Sequence, residues 1–152
     1  MARDPERTPD LTRRLAAFAS DAAPAAPALE VMRLSLMDWA ACGIAGRHEP
    51  VSRLVREMAE AEDGRAEASV IGGSARLPAR AAALVNGTVS HALDYDDTHF
   101  AHIGHPSVAV LPAALALAER TGAGGDDLLD AALIGAETSI RAGIWLGRGH
   151  YQ

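Results

Sequence analysis

His91-Ala92-Leu93-Asp94-Tyr95-Asp96-Asp97-Thr98-His99-Phe100-Ala101-His102-Ile103-Gly104-His105-Pro106 is the stretch on which the chain turns. From His91 to His105 it holds four of the six histidines, three aspartates and a threonine. Alanine-rich runs with helical spacing lie on either side. A polar, titratable loop between apolar helices is how a scaffold presents reactive groups. The flanking pattern predicts an all-α chain, a multi-helix bundle, with its chemistry held in this loop.

Upstream of the loop, Pro78 fits the first position of a helix over 78–92, with Ala81, Leu84, Val85 and Thr88 in its stripe. Downstream, Pro106 opens a helix to 118 or 119 that ends at Thr121-Gly122. Gly124-Gly125-Asp126-Asp127 starts the next, which reaches about 146 with Leu129, Leu133, Ala136, Ile140 and Gly143 on one face. Further back, a helix over 51–61 points Val51, Leu54, Val55 and Met58 inward. In a longer helix over 28–45, Leu29, Met32, Leu36, Trp39 and Gly43 form one stripe. Val31, Met37, Ala41 and Ile44 widen it, which predicts burial on more than one side, and Gly46 ends it. Asp10 caps a first helix carrying Leu11, Leu15 and Phe18, which the prolines at 24 and 27 terminate. Residues 1–9 read as a loose tail and 10–152 as the folded part. Ala68-Ser69-Val70-Ile71-Gly72-Gly73 reads as an extended segment, too poor in glycine to be a phosphate loop.

Composition removes several function classes. Hydrophobic residues make up 49% of the chain, which excludes disorder, and aromatics only 4%, which suits closely packed helices. A net charge of −6 without a basic stripe argues against a nucleic-acid partner. No apolar run reaches the roughly 18 residues of a membrane span, so no membrane partner is expected. A lone Cys42 excludes an internal disulfide and fits a cytoplasmic location. All fourteen basic residues are arginines, so lysine Schiff-base chemistry is impossible within this chain.

Within the loop, His105 precedes Pro106 and therefore takes the N-cap position of the helix after it. The positive end of a helix dipole disfavours a second positive charge, so a neutral imidazole beside anion-attracting N–H groups is expected. The alternative is a plain N-cap histidine that satisfies backbone donors. Asp94, three residues after His91, can pair with it as a His–Asp couple. Asp96, Asp97 and Thr98 can instead shape the loop through local turns. Three carboxylates in four residues repel one another and need partners. His99, His102 and His105, with Asp96 and Asp97 upstream, are the rival metal-ligand set, but the spacing matches no standard zinc motif, so no metal is expected. Asn86-Gly87 in mid-helix reads as a helix defect, a close-packing point or a polar contact to the loop. Glu137 and Arg141 read as a surface i, i+4 pair.

Together, Asn86-Gly87-Thr88-Val89-Ser90-His91-Ala92-Leu93-Asp94-Tyr95-Asp96-Asp97-Thr98, then His105-Pro106-Ser107 and the alanine-rich helix behind them, resemble the MmgE/PrpD family. Ser69-Val70-Ile71-Gly72 and Gly135-Ala136-Glu137 with Arg141 fit it too. The family includes 2-methylcitrate dehydratase, cis-aconitate decarboxylase and iminodisuccinate epimerase. The resemblance implies a homodimeric helical fold with a smaller lid domain, which this chain lacks. It implies acid–base chemistry on small di- or tricarboxylates, with no cofactor. It makes His105 the catalytic histidine, Asp94 and Thr98 substrate-binding residues, and His91 and Asp97 supporting ones. A second family histidine, in a Gly-aromatic-His-x-Thr segment, and the family's pocket lysines are missing here; His150 is not that histidine. The chain thus resembles the N-terminal third of such an enzyme and is expected to be inactive alone.

Overall fold

Pro106 and Gly122 bracket the helix on which the central loop hangs. Pro106 supplies a preset φ where no N–H is needed, and Gly122 takes the left-handed conformation (φ 73°) that closes the end. The computed structural model describes residues 7–147 and 149, and of residues 7–9 the backbone alone. His150 therefore lies outside the described residues.

Six helices follow in order among the described residues: α1 (Arg7–Asp21), α2 (Ala26–Gly46), α3 (Pro50–Ala61), α4 (Ala79–His91), α5 (Pro106–Thr121) and α6 (Gly125–Leu146). Two-residue strands, β1 (Ala68–Ser69) and β2 (Arg76–Leu77), pair antiparallel between α3 and α4. The helical class and the positions of α2 to α6 agree with the sequence reading. The extended segment does form a strand, though a minimal one. Helix α1 begins at Arg7, three residues before the expected Asp10 cap. Pro9 falls in its first turn, where a missing N–H costs nothing.

Helix α4 packs chiefly on α5 and α2, and α5 in turn on α6. One core joins Ala82, Val85 and Val89 of α4 to Ala116 of α5 and to Val70 and Leu77 of the hairpin. The other joins Met32 and Trp39 of α2 to Leu111 of α5 and to Leu129, Ala132 and Ala136 of α6. Trp39 is a core residue, as expected. Small residues let the helices approach closely. A Cβ on Gly46 would collide with the Val89 carbonyl, and one on Gly87 would lie 3.2 Å from the Val108 carbonyl. That carbonyl faces Pro112, which has no N–H to offer it. Gly87 is thus a close-packing point. Asn86 is fully buried, accepting from the Ile71 N–H (2.8 Å) and donating to the Ser69 carbonyl (3.0 Å). Its polar contact goes to the hairpin and not to the central loop. Glu119 holds the same hairpin from α5, accepting from the Ser69 hydroxyl at 2.6 Å.

Three helices depart from their expected faces. Helix α3 turns Val51, Leu54 and Met58 outward and buries Ser52 and Ala59. The Ser52 hydroxyl donates to the Gly46 carbonyl (2.8 Å), an acceptor at the end of α2. In α4, Leu84 is exposed and Ala82 takes its place inside. Helix α2 buries Met32, Trp39, Gly43 and Gly46, leaving Val31, Leu34, Met37 and Ile44 more than half exposed. Periodicity finds an apolar stripe but does not say whether a neighbour in the same chain covers it.

Candidate active site

The central loop is shaped by two left-handed residues and one backbone bridge. After α4 ends at His91, Asp94 adopts φ 56° and its N–H donates to the His91 carbonyl (3.0 Å). Asp is among the residues that tolerate this conformation. The chain then runs out to His99, turns through Ile103 (φ 55°) and returns at Gly104, with the His99 N–H donating to the Gly104 carbonyl (2.9 Å). This excursion sets His105 against His91 across the loop's base. Their rings stand edge to face, centroids 4.8 Å apart.

Asp96 lies between them and is the residue the sequence reading undervalued. Its side chain is fully buried. Its Oδ1 accepts from His91 Nδ1 at 2.7 Å. Its main-chain carbonyl lies 3.0 Å from His105 Nδ1. A carbonyl only accepts, so His105 Nδ1 carries the proton, and its Nε2 keeps the lone pair when the ring is neutral. The His–Asp couple expected between His91 and Asp94 is loose, at 3.9 Å. Asp96 is the true partner of His91. Nothing local in the sequence distinguishes Asp96 from its acidic neighbours; only the requirement that clustered carboxylates find partners pointed toward it.

His105 is the N-cap residue of α5, as predicted, but its side chain makes no capping bond. Asp97 does that work. Its carboxylate accepts from the Ser107 N–H at 3.2 Å and from the Ser107 hydroxyl at 2.6 Å. An anion at a helix N-terminus is electrostatically favoured. The plain-cap alternative for His105 therefore fails, and the first N–H once available to a substrate anion is already taken. His105 is free to present Nε2 to Asp94 Oδ1, 3.4 Å away.

Asp94 is largely exposed, at 77% of its side chain, while His105 is 24% exposed. The pair therefore sits at an opening. Thr98 is exposed, and its hydroxyl has no hydrogen-bond partner among the described residues. The structure brings Asp94, His105 and His91 together and does not join Thr98 to them by any hydrogen bond. An open apolar groove of about 640 Å³ runs between α4 and α5 past Leu84, Gly87, Thr88 and Pro112, touching the cluster at His91.

The rival trio of His99, His102 and His105 does not converge. His99 Nδ1 accepts from the His102 N–H at 3.2 Å. The His102 ring is packed against Gly143 of α6, where a Cβ would collide with it. The residues that do converge are His91, Asp94, Asp96 and His105, each with a ligand-capable atom, all within 4.8 Å of one another.

The arrangement has recognisable relatives. The model of the MmgE/PrpD N-terminal domain matches residues 13–152. This chain belongs to the MmgE/PrpD family. Two relatives show what company it keeps within that family. A cis-aconitate decarboxylase-like protein, oryM, of Aspergillus oryzae is 36% identical over 115 residues, covering 71% of this chain and 24% of that protein. The cis-aconitate decarboxylase of Homo sapiens is 35% identical over 85 residues, covering 55% of this chain and 18% of that protein. The matched stretches thus span less than a quarter of these relatives. Among the described residues, no helix is long and apolar enough to cross a membrane.

Proposed function

We propose that this MmgE/PrpD domain supplies the N-terminal part of an acid–base site acting on small di- or tricarboxylates. One observation carries the reading: His105, pinned through Nδ1 on the Asp96 carbonyl at 3.0 Å, presents Nε2 to Asp94 at a half-open surface. A neutral Nε2 can take a proton from a carbon next to a carboxylate and return one later. In dehydration the resulting carbanion expels hydroxide, and in epimerisation it is reprotonated on the other face; in decarboxylation the C–C electron pair stays on carbon as CO₂ leaves, and a protonated Nε2 supplies the proton that carbon takes up. The names of the two relatives favour decarboxylation of cis-aconitate among these outcomes.

Asp94 orients the histidine and the substrate, and the unpartnered Thr98 hydroxyl serves as a substrate contact. His91 supports the site through Asp96. Asp97 supports it only by holding the start of α5. The domain by itself lacks turnover, because among the described residues no arginine is paired to this cluster to clamp the carboxylates of the substrate. We further propose a cytoplasmic homodimer, in which the exposed α2 residues Val31, Leu34, Met37 and Ile44 are covered.

The test is a chimera in which residues 10–152 replace the matching part of the Aspergillus oryzae relative. CO₂ release from cis-aconitate should appear in the chimera and not in the isolated domain. His105→Ala should lower it by about 10²–10⁴-fold, the usual share of a general acid–base group. Undiminished turnover in His105→Ala would remove His105 from the chemistry.

A further inference from the structure

The two imidazoles are held in the same way. Both are tethered at Nδ1 by Asp96, His91 by the carboxylate (2.7 Å) and His105 by the carbonyl (3.0 Å). Both Nε2 atoms therefore face Asp94 Oδ1, at 3.9 Å and 3.4 Å. Both Nε2 atoms thus lie within 3.9 Å of the same carboxylate oxygen. Asp96 adds a second negative charge that is fully buried, and its Oδ2 has no hydrogen-bond partner. Among the described residues, no arginine forms an ion pair with Asp94, Asp96 or Asp97; the arginine pairs lie at Glu30, Glu119 and Glu137. Among the described residues the cluster is electron-rich and has no arginine paired to it.

We infer that His91 Nε2, His105 Nε2 and Asp94 form a binding site for a divalent transition-metal cation of the zinc class. The geometry fits. Bonds of about 2.0–2.1 Å at tetrahedral angles set neighbouring ligand atoms about 3.4 Å apart. The His105–Asp94 separation is 3.4 Å, and that of His91 is half an ångström longer, within the adjustment of an exposed aspartate. The ligand set excludes magnesium and calcium, which prefer oxygen, and suits zinc, cobalt, nickel or copper. Asp96 takes the outer role common in such sites, fixing each ring through the nitrogen that does not bind metal. Three protein ligands with Asp94 open to solvent leave one position for water or a carboxylate.

This site goes beyond the acid–base reading and competes with it. A bound cation occupies His105 Nε2, the atom that reading assigns to proton transfer. Cation and proton therefore exclude each other there, and the metal acts as an inhibitor of that chemistry, a consequence that rests on the proposed function. Binding itself does not depend on it.

The experiment is a Co²⁺ titration of the whole chain, purified without a histidine tag, followed by visible d–d absorption. One Co²⁺ per chain should bind with four- or five-coordinate bands and be displaced by Zn²⁺. His91→Gln and His105→Gln should each weaken binding at least tenfold while the helical circular-dichroism spectrum is kept. Asp96→Asn should weaken it about 10–100-fold. His99→Gln should leave it unchanged. In a ¹⁵N spectrum Zn²⁺ should shift His91 and His105 and leave His99 in place. No stoichiometric binding, or equal binding by folded His91→Gln and His105→Gln, overturns the site. Either result leaves the acid–base reading standing, since turnover in the chimera needs no cation.

Discussion

Asp97 grips Ser107 through both carboxylate oxygens, at 3.2 Å to the N–H and 2.6 Å to the hydroxyl, across ten residues of sequence. This contact ties the loop's outgoing limb to the start of α5 and so fixes where His105 stands. Loss of a charged cap costs about 1–2 kcal/mol. Asp97→Ala should lower unfolding stability by that amount in urea, and Asp97→Asn by less, because an amide oxygen still accepts. A stability unchanged within 0.5 kcal/mol, about the noise of a surface substitution, would show the contact to be idle.

Gly143 carries the far limb. His102 lies so close to it that any Cβ must displace the ring or the helix. Gly143→Ala should cost about 1–3 kcal/mol, the usual range for overpacking, and raise amide exchange through 99–104. Exchange that rises elsewhere but not in this loop would mean that His102 is not what holds it.

The orientation of α3 can be checked by contrast. Leu111 is fully buried, whereas Leu54 is 66% exposed. Leu111→Ala should cost about 2–5 kcal/mol and Leu54→Ala within about 0.5 kcal/mol in the monomer. A comparable loss at Leu54 in dilute solution would restore the inward-facing reading of that helix.

Cys42 is half-buried on α2, and desolvation raises its thiol above the ordinary value, with Asp38, Asp96 and Asp97 adding to the rise. The reactive form is the thiolate. A raised pKa means less thiolate at a given pH, so iodoacetamide should modify Cys42 more slowly than a free thiol at pH 8, and the difference should narrow as the pH climbs. Alkylation at the rate of a free thiol would show the site to be solvated. Replacing all three aspartates by asparagine should remove only the smaller part of the retardation, since burial is the larger cause.

Much was legible in the chain itself. Helices α2, α4 and α5 were bounded in the sequence because prolines at 78 and 106 and glycines at 46 and 122 are local devices whose effect needs no neighbour. The position of His105 at a helix start was legible for the same reason: an X-Pro junction restricts backbone over two residues. The facing of α3 was not, because Val51, Leu54 and Met58 form as good a stripe as any buried one. What decides burial there is that the face carrying Ser52 and Ala59 is the one turned to α4, with the Ser52 hydroxyl on the Gly46 carbonyl at the end of α2.

The sequence by itself determined the helical class and the family, both of which rest on short-range pattern. Only the tertiary structure decided that Asp96, and not Asp94, holds both histidines, and that Asp97, and not His105, caps α5. Those choices depend on which of three adjacent carboxylates the folded loop buries. Burial is a property of the whole fold, since an unpaired charge is tolerated in water and must find its partner once water is gone.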